Sequence, residues 1–160
     1  MKKQKGFSLI ELLIVVAIIL IIAAIAVPNL LKARISANES SAVGSIRTLT
    51  TANIQYAAQC PMSGFPAALA NLGPGAGDCT NAGIIDEVLT TGTKSGYSFT
   101  YAPGAPDASG IISTYTILAL PITVSVTGQR AFCSIQDGVV HYNDAGAVCD
   151  SSVNGDPALE

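Results

Sequence analysis

The chain is short of almost everything an active site is made from. Its 160 residues include one histidine, His141, and neither a GxSxG elbow, a phosphate-binding glycine loop nor an HExxH pair occurs. A lone histidine in a stretch of strand periodicity has no partner for acid-base or nucleophilic work, so no enzyme activity is expected. The cysteines show no CxxC spacing, which argues against zinc, and no metal or cofactor set stands out. Basic residues number 8 against 11 acidic ones, for a formal net charge of −3. Without a basic stripe, no dedicated nucleic-acid site is expected. Only Phe7 and Tyr56 are aromatic between Phe7 and Ala58, too few for conduction through stacked rings.

Charge of either sign is missing from Leu12 to Val27, sixteen consecutive apolar residues. Lys2, Lys3 and Lys5 precede this run, Glu11 stands at its head, and Pro28 closes it. As a helix, Phe7 to Val27 would measure roughly 31 Å, enough to cross the ~30 Å hydrocarbon layer of a bilayer. The leading lysines put the N-terminus in the cytoplasm and the remainder outside. A secretory signal carries its small-residue cleavage site after the apolar core. Here the small residue, Gly6, lies before it. Cutting at Gly6-Phe7 would leave the apolar helix at the new N-terminus with a free amine on Phe7, four residues from Glu11 and on the same helix face. A carboxylate in a membrane segment needs a partner, and that ammonium, its own or a neighbouring copy's, is the obvious one. Even at an effective dielectric near 20, a pair 4 Å apart is attracted by about 4 kcal/mol before desolvation is subtracted. An apolar helix can slide; a charge pair fixes its register.

The run Gly6-Phe7-Ser8-Leu9-Ile10-Glu11-Leu12-Leu13-Ile14-Val15-Val16-Ala17-Ile18-Ile19, after a lysine-rich leader and before Ala26-Val27-Pro28, resembles the N-terminal signature of type IV pilins and of the related type II secretion pseudopilins. The match covers residues 1 to about 35 and is diffuse beyond. The resemblance implies cleavage after Gly6 by a prepilin peptidase, N-methylation of Phe7, storage in the inner membrane, and polymerisation of the chain with itself into a helical filament at the cell surface. It also implies a platform protein and an assembly ATPase as partners. Loss of Lys2, Lys3 and Lys5 would leave five basic against eleven acidic residues.

Beyond Pro28 the helix is expected to continue, kinked or locally melted at the proline. From Asn29 to about Ala58, Ile35, Ala42, Ile46, Leu49, Ile54 and Ala57 form an apolar stripe, while Lys32, Arg34, Glu39 and Arg47 interrupt the apolar character. Cys60-Pro61 ends the helix. Residues 61 to 83, rich in Gly, Ala, Pro and Asn, read as a loop with at most a short helical turn anchored by Leu69 and Leu72, and Ile84 to Leu89 as a short helix or apolar turn. Strand signals begin at Gly96: Tyr97, Phe99 and Tyr101 alternate with polar residues, Ile111 to Leu120 follows, and Arg130 to Ile135 meets Val139 to Tyr142 across Gln136-Asp137-Gly138.

The expected architecture is α+β, the pilin fold: a long N-terminal helix whose C-terminal half packs on an antiparallel sheet of about four strands. The chain divides into a leader (1–6), a membrane or filament-core helix (7–28), an amphipathic half (29–59) and an extracytoplasmic head (60–160). Cys60, Cys79, Cys133 and Cys149 all fall on the oxidising side and read as two disulfides with three connectivities; Cys60 with Cys79 and Cys133 with Cys149 are favoured because each pair closes a Gly-rich or hairpin-like loop of roughly 15 to 20 residues. Asp137, Asp144, Asp150 and Asp156 lack EF-hand spacing, and Asn38-Glu39-Ser40 is a glycosylation sequon on a predicted helix. The expected function is a structural pilus subunit, most simply the major pilin. A periplasmic pseudopilus subunit is the nearest alternative, and a monomeric membrane-anchored binding module the alternative of another class.

Overall fold

The computed structural model describes residues 7–144 and 158–159. Helix α1 runs Leu9–Gln59, followed by a 3-10 turn at Leu69–Leu72, the short helix α2 at Glu87–Thr90, and five strands: β1 Thr93–Lys94, β2 Tyr97–Pro103, β3 Tyr115–Pro121, β4 Ala131–Ile135 and β5 Val140–Asn143. The strands pair in sequence order, every pair antiparallel. The chain forms two compact units that divide between Arg34 and Ile35.

In the second unit, the residues of α1 from Ala42 to Tyr56 close over one face of the sheet. Ala42, Ile46, Leu49, Ala52 and Tyr56 share a core with Tyr97, Phe99, Tyr115, Ile117, Ala119, Phe132 and Val140. The period-2 alternation of β2 and β3 is what delivers these side chains to one face. The other face carries a smaller cluster of Ala131 and Cys133 with Leu118 and Leu120. Two residues of this half of the helix behave differently from expectation. Ile54 is 58% exposed, whereas Glu39, read from sequence as an interruption, is 6% exposed.

Glu39 is buried because it grips the β3–β4 loop. Its Oε1 accepts the backbone N–H of Gln129 at 2.9 Å and of Arg130 at 3.2 Å, and its Oε2 accepts Nε and Nη2 of Arg130 at 2.9 and 2.8 Å. Arg130 in turn lies over the rings of Phe132 and Tyr142, 5.6 and 5.5 Å from their centroids. The preceding residue joins in: Asn38 Nδ2 donates to the Thr127 carbonyl at 2.8 Å. One of the two hydrogens of that amide nitrogen is thereby engaged in the fold. Tyr97 completes the clasp, its hydroxyl donating to the Arg130 carbonyl at 2.8 Å. A Cβ at Gly128 would overlap the Tyr97 phenol, so glycine is required there.

The sheet has one strand more than expected. Ser95 and Gly96 both have positive φ, 50° and 76°, which is the two-residue turn that folds Thr93–Lys94 back onto β2. β3 begins at Tyr115 rather than Ile111; Ile112 instead makes an isolated bridge to Gly64. The segment from Cys60 to Gly92 is better anchored than its composition suggested. Leu72, Ile85 and Leu89 are buried, and the Leu72 carbonyl accepts the N–H groups of both Ile84 and Ile85. Cys60 and Cys79 are disulfide-bonded, and Tyr56 Oη donates to the Cys79 carbonyl at 2.6 Å. Cys133 is buried in β4; its expected partner Cys149 lies outside the described residues.

Two predictions follow from these contacts. Burial alone would raise the Glu39 pKa, but the Gln129 N–H and the guanidinium and N–H of Arg130 outweigh it and hold it below the usual 4.5. The clasp therefore contributes fully above the unfolded carboxylate value and loses its contribution as pH falls through the lower folded one. Glu39→Gln should cost about 2 kcal/mol at pH 7. In thermal melts the gap to wild type should narrow below about pH 4; a gap independent of pH would show that the charge is not what holds the loop. Replacing Cys60 and Cys79 together by serine should destabilise the head by about 3 kcal/mol in denaturant titrations, the chain-entropy value for a loop of this size.

Candidate functional site

The N-terminal segment holds the residues singled out from sequence. Ser8 immediately precedes the first helical residue, Leu9, and the Glu11 carboxylate turns back so that Oε2 accepts the Ser8 backbone N–H at 2.9 Å. The Ser8 carbonyl accepts the Leu12 N–H at 3.3 Å. Ser8-Leu9-Ile10-Glu11 thus makes the glutamate half of a capping box, with a negative charge at the positive end of the helix dipole. The S-x-x-E spacing of Ser8 and Glu11 is the sequence signature of this cap. Phe7 lies before the first helical residue, Leu9, and is 83% exposed. Gly6 and Lys2, Lys3 and Lys5 lie outside the described residues. Glu11 Oε1 has no hydrogen-bond donor among the described residues, leaving one carboxylate oxygen for a further partner.

From Leu9 to Leu31 every side chain of α1 except Ala23 is exposed. This is the one helix among the described residues long and apolar enough to cross a membrane. The helical assignment passes through Pro28 without a break, so no turn is melted there. Pro28 has no N–H to give the Ala24 carbonyl. One residue on, Asn29 Nδ2 donates to the Ile25 carbonyl at 3.1 Å and adds a side-chain bond to the turn the proline weakens.

Elsewhere, Asp137 serves as a turn former. Asp137 Oδ1 accepts the Val139 N–H at 2.9 Å inside the β4–β5 turn, and Asp150 and Asp156 lie outside the described residues. His141 is on β5, opposite Cys133. Among the described residues no group of three or more His, Cys, Asp or Glu side chains is arranged to hold a metal ion.

Residues 1–27 match the family model described as the prokaryotic N-terminal methylation motif. Over 128 residues, 70% of this chain and 71% of the relative, the chain is 33% identical to the type IV major fimbrial protein FimA of Dichelobacter nodosus. It belongs to the type IV pilin family. Members of that family are structural subunits, not enzymes. Two further pilins match over shorter lengths. The type IV wide pilus major component PilA4 of Thermus thermophilus is 62% identical over 40 residues, 25% of this chain and 30% of that one. The type IV major pilin protein PilA of Myxococcus xanthus is 46% identical over 54 residues, 34% of this chain and 24% of that one. The chain therefore aligns with less than a third of those two pilins and with most of the Dichelobacter protein. No solved structure matches the chain.

Proposed function

We propose that this chain is the major subunit of a type IV pilus, held in the inner membrane by residues 7–28 until it polymerises into an extracellular filament. One observation carries this: the apolar face of α1 from Leu9 to Leu31 is uncovered all the way round, in a chain whose other helical half is committed to a core. A helix apolar on every side must be buried in lipid or in protein. A membrane meets that need before assembly, and a bundle of copies meets it afterwards. One copy presents a different surface to the next, so repetition gives an open helical fibre. The names of the similar proteins, pilins and a fimbrial protein, favour a pilus over a periplasmic pseudopilus.

In this scheme Gly6 is the residue before the scissile bond and Phe7 the new, methylated N-terminus. A prepilin peptidase, a membrane platform protein and an assembly ATPase are the partners. Glu11 has two tasks in turn. In the free subunit it caps its own helix through the Ser8 N–H. In the filament its other oxygen meets the Phe7 ammonium of a neighbour and fixes register. Pro28 leaves a carbonyl unpaired within the packed segment and so marks the turn at which the helix yields most readily. The leader, core helix, amphipathic half and head divide the chain by these tasks.

The deciding experiment is intact mass and N-terminal sequencing of protein sheared from the cell surface. Abundant chains beginning at methylated Phe7 are expected; chains still beginning at Met1 would end the filament reading. Glu11→Ala and Glu11→Gln separate the two tasks of Glu11, because glutamine keeps a capping acceptor and loses the charge. Both variants should be cleaved, and both should give at most about a tenth of the wild-type filament, about 1.4 kcal/mol or more lost per contact. Normal yield from Glu11→Gln would leave the cap as the only role. Gly6→Val should accumulate uncleaved in the membrane fraction, as read by immunoblot.

A further inference from the structure

The β3–β4 loop displays apolar side chains that the head does not use. Ile122, Val124 and Val126 are 59%, 49% and 52% exposed, spaced two apart, on a loop held in a single shape. The Ile122 N–H bonds the Gly96 carbonyl, the Ser125 N–H bonds the Gly128 carbonyl, and the N–H groups of Val126 and Thr127 both bond the Thr123 carbonyl. The Thr127 hydroxyl closes the same turn from its side chain. Between the two valines Ser125 takes φ 65°, a left-handed conformation that favours glycine. The clasp of Asn38 and Glu39 then fastens the whole loop to the helix. A loop fixed this firmly, at a strained residue, with its aliphatic side chains turned to solvent, is built to meet another apolar surface.

We infer that Ile122, Val124 and Val126 dock on the apolar helix of a second copy of this chain, within Leu12–Leu31. The chain itself supplies the complement. Between Asp107 and Arg130 there is no charged residue, and between Glu11 and Lys32 there is none either. Laying one on the other strands no charge in an apolar contact. The helix needs cover on all sides, and a loop of aliphatic residues from the head provides some of it where helix-on-helix packing does not reach. The interface is heterologous, loop of one copy against helix of the next, which is the geometry an open fibre requires. The inference presupposes that the chain polymerises and names a surface that takes part.

The test uses the full-length protein in its native host. The triple variant Ile122→Ser, Val124→Ser, Val126→Ser should be processed and still fold, with a lowered melting temperature because the half of each side chain that the head buries is lost as well. Its sheared filament yield should fall at least about tenfold, because the exposed halves of three aliphatic side chains lose their burial. In a second arm, Val124→Cys is labelled with a benzophenone maleimide in assembled filaments and irradiated, and the adduct is mapped by mass spectrometry. An adduct on a peptide within Leu12–Leu31 of another copy is expected. Adducts confined to head peptides or to lipid would overturn the assignment, as would a triple variant that assembles normally. Absence of filaments from the wild-type strain would instead remove the pilus reading itself, and a variant that fails to fold leaves the cross-link to decide.

Discussion

One backbone hydrogen-bond ladder, α1, has to satisfy two solvents. From Leu9 to Leu31 it offers no polar face at all, and from Ala42 to Tyr56 it gives its apolar stripe to a sheet. Each half is unstable where the other belongs. The apolar half has no core of its own to enter, and the amphipathic half would strand Glu39, Arg47 and Asn53 in a hydrocarbon layer. What joins them is a helix that keeps its assignment through Pro28, where one hydrogen bond is missing and an asparagine side chain adds another. The rest of the head exists to cover one stripe of that helix.

How the cover is fastened explains why a buried glutamate is tolerated. Burying a carboxylate is expensive unless its oxygens find donors, and Glu39 finds four, two of them backbone N–H groups at the end of the β3–β4 loop. The pair with Arg130 is two-pronged, and the guanidinium is held further by two aromatic rings. A purely apolar contact would leave the loop free to slide along the helix. Hydrogen bonds from two consecutive helix residues, Asn38 and Glu39, fix both its height and its angle.

The helix, its end at Cys60-Pro61, four of the strands and the β4–β5 turn were legible because each rests on a local rule: unbroken apolarity, a proline stop, period-2 alternation, a Gly at positive φ. The features that escaped were those in which distant residues decide. Glu39 looks like a solvent residue until Arg130, ninety-one positions on, is brought to it. Ile54 fits an apolar stripe by composition, but it falls on the side of the turn away from Leu49 and Ala52 and stays in solvent. Thr93–Lys94 is too short to announce itself as a strand, although Ser95-Gly96 was a visible turn signal. The Ser8 to Glu11 cap is fully local, but a carboxylate at the head of an apolar run points by its charge to a partner outside the helix as readily as to its own first turn.

The two charged residues at the centre of this molecule follow one rule with opposite outcomes. Glu39 spends both oxygens inside its own chain and thereby fixes the fold. Glu11 spends one, on the Ser8 N–H, and its other oxygen has no donor among the described residues, at the end of an uncovered apolar helix. A carboxylate half satisfied is stable enough to be stored and incomplete enough to favour a further donor. An apolar surface can drive copies together but specifies no particular alignment, since sliding by one residue changes little of its buried area. A directional acceptor near one end does specify it, because a shift of one residue, about 1.5 Å along the axis, already lengthens a charge-assisted hydrogen bond beyond its range. In the proposed filament, affinity and register would therefore come from different atoms of the same helix, the apolar side chains supplying the first and the Glu11 carboxylate the second.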